Sequence, residues 1–88
     1  MNIIKETRYL QFVEKPSNGK MKIIDIVNIN HQKVIGQIKW FGRWRQYCFF
    51  PCEETVWNKT YMEDVYEVMN DLMEERKTNI NTEYGKGL

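Results

Sequence analysis

The sequence predicts an α+β fold: a four-stranded antiparallel β-meander with one C-terminal α-helix packed on one face. Three observations carry this reading. Up to residue 50 the chain is a series of short β-branched and aromatic runs separated by Gly, Pro, Asn and polar residues. Pro51 then stops the strand pattern, because proline has no N–H to give to a ladder. Beyond it, Val65, Val68, Met69, Leu72 and Met73 recur at three- and four-residue steps, the mark of a helix with a single apolar stripe.

The elements follow in chain order. "RYLQFVEK", residues 8–15, alternates and is rich in strand formers, so it is the first strand. "PSNG", 16–19, is a turn, with Pro setting φ early and Asn-Gly accepting positive φ late. "KMKIIDIVNI" is the second strand and "NHQK" closes the next hairpin. "VIGQIKWF" and "WRQYCFF" are the third and fourth strands. Gly42-Arg43 between them suits a two-residue turn with glycine first, which sets Phe41 opposite Trp44, Trp40 opposite Arg45 and Ile38 opposite Tyr47. "TYME" opens the helix, expected from about 61 to 77, with Thr60 and Glu63 as a capping box. Arg76 and Lys77 suit its negative C-terminal end. "TNINTEYGKGL" has no period, so residues 1–77 read as one domain and 78–88 as a flexible tail.

Composition narrows the function classes. Eighty-eight residues make one domain. No apolar run is long enough to span a bilayer, and the N-terminus lacks the features of a signal peptide, so the expectation is a cytoplasmic protein with no membrane partner. Cys48 and Cys52 then read as free thiols. His31 is the only histidine, so neither a metal site nor a cofactor is expected. Ser17, the only serine, lies in a turn, and no third residue stands out to orient a Cys48–His31 pair. There is no phosphate-loop or dinucleotide signature. The chain reads as a binding protein rather than an enzyme, with no catalytic residue.

Charge divides along the chain. Residues 1–50 carry nine Lys or Arg against three acids, and residues 51–88 carry four against nine. Either the halves attract one another or are simply solvated, or the first presents a surface for an anion.

That surface would be "GQIKWFGRWRQYCFFP", residues 36–51. Alternation places Val34, Gly36, Ile38, Trp40, Arg45, Tyr47 and Phe49 on one face, the more apolar one, which should take the helix. A three-residue loop at 30–32 adds Ile24 and Ile26 to that face and keeps Asp25 out of the core. Arg45 is the odd member, expected to stack on Trp40 or reach an acid of the helix. The second face holds Ile35, Gln37, Lys39, Phe41, Trp44, Gln46, Cys48 and Phe50. Rings among cations and amides can hold a nucleobase and a phosphate, can form a protein interface, or can make a small second core under 51–59 covered by Trp57. As a ligand site it would comprise Lys39, Phe41, Arg43, Trp44, Arg45, Gln46 and Tyr47. A homo-oligomer is expected through this face or through the edge of the first strand.

The pattern GxIKWxxxWRQYxFFP, followed by "TVWN" and a short acidic amphipathic helix, resembles a group of small uncharacterised proteins of bacteriophages and mobile elements over residues 34–75. The resemblance implies a non-enzymatic protein that works in the host cytoplasm by binding. Its partner would be a phosphate-bearing nucleotide, such as an immune signal that it sequesters as a sponge, a nucleic acid, or a host defence protein that it inhibits.

Overall fold

The computed structural model describes the backbone of residues 2–86 and the side chains of residues 2–77. It holds five strands rather than four: β1 (Asn2–Glu6), β2 (Leu10–Lys15), β3 (Ile23–Asn28), β4 (Lys33–Phe41) and β5 (Gln46–Pro51), then the helix α1 (Lys59–Lys86). The strands form one antiparallel sheet in chain order, β1-β2-β3-β4-β5. The extra strand escaped the pattern because a bulge breaks its alternation. Ile3 pairs with Val13 and Lys5 with Phe12, leaving Ile4 without an opposite number.

A second bulge sets the β3–β4 register. Ile24 pairs with Ile38 and Ile26 with Gly36, which places Ile24 and Ile26 on the helix side and Asp25 opposite Gln37, as expected. Nearer the turn the ladder slips by one residue, so that Val27 pairs with Val34. Ile35 is the extra residue, and it joins the main core instead of the second face. Val34 moves the other way and is left exposed. The connection before β4 is the four residues 29–32, ending at Gln32 with a φ of 49°. No described glycine has a positive φ, so the 16–19 segment does not use Asn-Gly as a left-handed turn. Ser17 Oγ instead donates to Met21 O (2.9 Å) and Gly19 O (3.2 Å).

Leu10, Phe12, Ile24, Ile26 and Ile38 are fully buried under Val65, with Val68 and Leu72 almost so. Met69 and Met73 pack at the margin, which completes the apolar stripe read from the sequence. Each fully buried side chain of this kind stabilises by about 1.5–3 kcal/mol. Two ion pairs flank the stripe, Lys5 Nζ to Glu67 Oε1 and Lys22 Nζ to Glu75 Oε1, both at 2.6 Å. They tie the basic first half of the chain to the acidic helix at the edges of the core.

The helix starts two residues earlier than expected. Asn58 Oδ1 accepts from Tyr61 N (2.8 Å) and Asn58 O accepts from Met62 N (2.9 Å), so Asn58, not Thr60, is the cap. Asparagine ranks above threonine in that position, and "TVWN" supplies it with Trp57 just before. The helix also passes the expected end near 77. The reading of 78–88 as a tail falls on residues whose side chains, and at 87–88 whose backbone, lie outside the described ones.

Candidate functional site

The β4–β5 connection is the four residues 42–45, with Phe41 opposite Gln46 and Trp40 opposite Tyr47. Trp44 N donates to Phe41 O (3.1 Å) and Arg45 N to Gly42 O (3.2 Å). Arg45, at φ 55°, takes the left-handed position that turns the chain into β5. Gly42 does not need its freedom here, which is why a glycine-first two-residue turn is not what forms. The loop is longer by two residues, an even number, so the facing of every paired strand residue survives although each partner changes.

Arg45 is the exception. It leaves the inner face for the exposed loop, and its expected place over Trp40 is taken by Arg76 of α1, whose guanidinium carbon lies 4.5 Å from the indole centroid. Tyr47 meets the same indole edge-on at 5.4 Å. Tyr47 itself is buried, its hydroxyl accepting from Lys22 N (3.1 Å) and donating to Met21 Sδ (3.7 Å). It supports the hairpin from the core side, facing away from the other six candidate residues.

Those six gather at one corner of the sheet. Phe41, on the outer face, meets Trp44 at 5.1 Å and Phe50 at 6.3 Å, both edge-on. Lys39 Nζ stands 4.7 Å from the Phe50 centroid. Trp44 is 65% exposed, and Arg43, Arg45 and Gln46 are exposed beside it. Phe50 was missed as a site residue, although the alternation of Gln46, Cys48 and Phe50 places it on this face. The corner is an open platform of rings with three cations around it.

The remaining tryptophan is elsewhere. Thr55 Oγ1 donates to Cys52 O (2.7 Å) and accepts from Trp57 Nε1 (2.8 Å), which folds the 52–58 segment back toward the helix side. Trp57 lies edge-on to Phe49 (4.5 Å) and Tyr61 (5.9 Å), so it extends the main core and leaves the second face uncovered. Gly36 makes room for it: a Cβ there would stand 3.0 Å from Trp57 Cζ2 and from Phe49 Cε1.

Two hollows lie near these elements. A depression of about 330 Å³ beside Lys39 and Trp40 is bounded by Ser17, Asn18 and Gly19. A larger one, about 500 Å³, runs along the outward side of α1 past Met62 and Tyr66, away from the aromatic corner. Lys22, at the rim of the first, has its pKa raised, chiefly by its hydrogen bond to Glu75. Among the described residues no three His, Cys, Asp or Glu side chains are grouped to hold a metal ion. No helix there is long and apolar enough to cross a membrane.

No family model matches the chain, and no solved structure matches it. It is 36% identical over 75 residues to an uncharacterized 9.3 kDa protein of Acholeplasma phage L2, a match that takes in 84% of this chain and 96% of the relative. At that identity and coverage, the chain belongs to the same small phage protein family as the L2 protein.

Proposed function

We propose that this is a non-catalytic phage protein that binds single-stranded nucleic acid at the corner formed by Lys39, Phe41, Arg43, Trp44, Arg45 and Phe50. One observation carries the reading: Trp44 is 65% exposed and propped edge-on against Phe41, with no part in the core. An indole held that way offers a bare face for a base, and base stacking on an aromatic side chain contributes about 1–3 kcal/mol per base. Lys39, Arg43 and Arg45 supply the charge for the backbone. The openness of the corner favours a strand over a free mononucleotide, because small ligands bind where most of their surface is enclosed. In its phage context the protein would work in the host cytoplasm.

Sequestration of a phosphate-bearing nucleotide is the second reading, supported by the depression of about 330 Å³ beside Lys39 and Trp40. Fluorescence anisotropy with a labelled single-stranded oligonucleotide, set beside thermal shifts with linear and cyclic nucleotides, separates the two. Strand binding that weakens steeply with salt supports the proposal. A rise in melting temperature with a nucleotide alone favours sequestration. No response to either overturns both and leaves a host protein as the partner.

A further inference from the structure

The sheet has one covered face and one bare face. The core lies under α1 and Trp57, and no described element packs on the other side. Alternation from the observed register puts Ile3, Ile23, Val27, Val34 and Phe50 on the bare side, with Val13 buried among its neighbours there. Its polar groups are engaged with one another. Gln11 Nε2 donates to Glu6 Oε1 (2.9 Å), and Gln37 Nε2 donates to Asp25 Oδ1 (2.7 Å). Lys15 Nζ is 3.7 Å from Asp25 Oδ2, and Lys39 Nζ lies over the Phe50 ring. Two lysines and two acids leave this face without net charge.

Those features fit one occupant. A two-fold interface brings the same patch from both sides, so any net charge on it would meet its own sign. A face that is neutral, with its polar groups already satisfied, escapes that repulsion and costs less to dehydrate. A face built throughout for nucleic acid would carry a positive excess, which here is confined to Arg43 and Arg45 of the 42–45 loop. We infer that the bare sheet face is the interface of a homodimer, in which a second copy of this chain stacks its own sheet across the first.

Both edges of the sheet are poor templates for the alternative of strand addition. On β5, Cys52 N donates to Ile35 O, so the even-numbered residues face β4 and the odd ones face outward. Of the outward N–H groups, Tyr47 N is taken by Met73 Sδ (3.4 Å) and Pro51 has none, which leaves only that of Phe49 to another strand. On β1 the bulge at Ile4 breaks the flat edge that another strand would need. Stacking offers the larger contact. Five strands about 4.8 Å apart and about six residues long span a face on the order of 500 Å². Two such faces bury about 1,000 Å², the size of a weak, transient interface, so the dimer should be of modest affinity and visible in a concentration series.

The test is sedimentation velocity on the full chain from micromolar to submillimolar concentration. The expected result is a monomer–dimer equilibrium that Val27→Glu weakens by about tenfold or more. Asp25→Asn, which removes the counter-charge to Lys15 while keeping the bond to Gln37, should weaken it as well, and it serves where Val27→Glu does not fold. Trp44→Ala, in the 42–45 loop beside this face, should leave the equilibrium unchanged while lowering oligonucleotide affinity about tenfold, so this inference and the proposed function, which share Lys39 and Phe50, fail separately. A wild-type chain that stays monomeric throughout, or a dimer that folded Val27→Glu and Asp25→Asn both leave intact, overturns it.

Discussion

The guanidinium carbon of Arg76 lies 4.5 Å from the Trp40 ring centroid, and its Nε is buried with no hydrogen-bond partner among the described residues. The indole face is the group nearest at hand for that guanidinium, and the pair joins α1 to the β4–β5 hairpin. Trp40→Ala should therefore cost about 3 kcal/mol, at the lower end for truncating a large aromatic because the ring is only half-buried. Trp44→Ala should cost less than about 1 kcal/mol, as surface substitutions do. Urea denaturation of the two variants checks this, and equal losses would mean that the hairpin tip is core.

The cap can be checked in the same way. Asn58→Ala should lower stability by about 1 kcal/mol, since it strips the Tyr61 N–H of its acceptor. Thr60→Ala, at the second residue of the helix, should lie within about 0.5 kcal/mol of the parent. The opposite order would restore the 60–63 capping box.

Gly36→Ala should destabilise by about 1–3 kcal/mol through overpacking. The added methyl group meets two rings and, at 3.3 Å, the Phe50 carbonyl oxygen, and the backbone atom cannot move aside. Trp57 should be displaced, with a red-shifted fluorescence maximum. An unchanged spectrum and midpoint would show that Trp57 does not rest on Gly36.

The Lys22–Glu75 pair gives a pH dependence with a definite sign. The pKa of Lys22 is raised above its ordinary 10.5 in the folded chain, chiefly by the hydrogen bond to Glu75. A raised lysine pKa means that the folded state holds the proton more tightly. Its stabilisation is complete below 10.5 and is lost as pH rises through the folded value. Both side chains are partly exposed, so the contribution should stay at or below about 1 kcal/mol. Comparing parent and Glu75→Gln stability across the alkaline range tests it: the gap should be present at neutral pH and close above 10.5.

The sequence was legible where burial and period agree. Val65, Val68 and Leu72 on one stripe, and Ile24, Ile26 and Ile38 on one sheet face, follow from patterning alone. It was not legible where one residue is added. The bulges at Ile4 and Ile35 destroy period-two alternation locally, which concealed β1 and exchanged the places of Val34 and Ile35. Turn chemistry misled in a second way. Gly42 and Gly19 suggested left-handed turns, yet the positive φ values fall on Gln32, Arg45 and Glu54. The aromatic corner survived because an even change in loop length preserves facing. Tyr47 and Arg45 show the limit, since whether a side chain meets solvent or the helix depends on contacts such as those of Met73 and Arg76, far away in sequence.

The most direct test of the proposed binding corner is the salt dependence of single-stranded oligonucleotide affinity in the parent, Arg43→Ala and Trp44→Ala chains. With Lys39, Arg43 and Arg45 each meeting a phosphate, the slope of log K against log salt should be roughly −2, about 0.7 per contact. Arg43→Ala should flatten that slope by about 0.7, whereas Trp44→Ala should leave it unchanged and lower affinity by about tenfold at every salt concentration. Parent-like affinity and slope in both variants would contradict the account and place the binding surface away from the 42–45 loop.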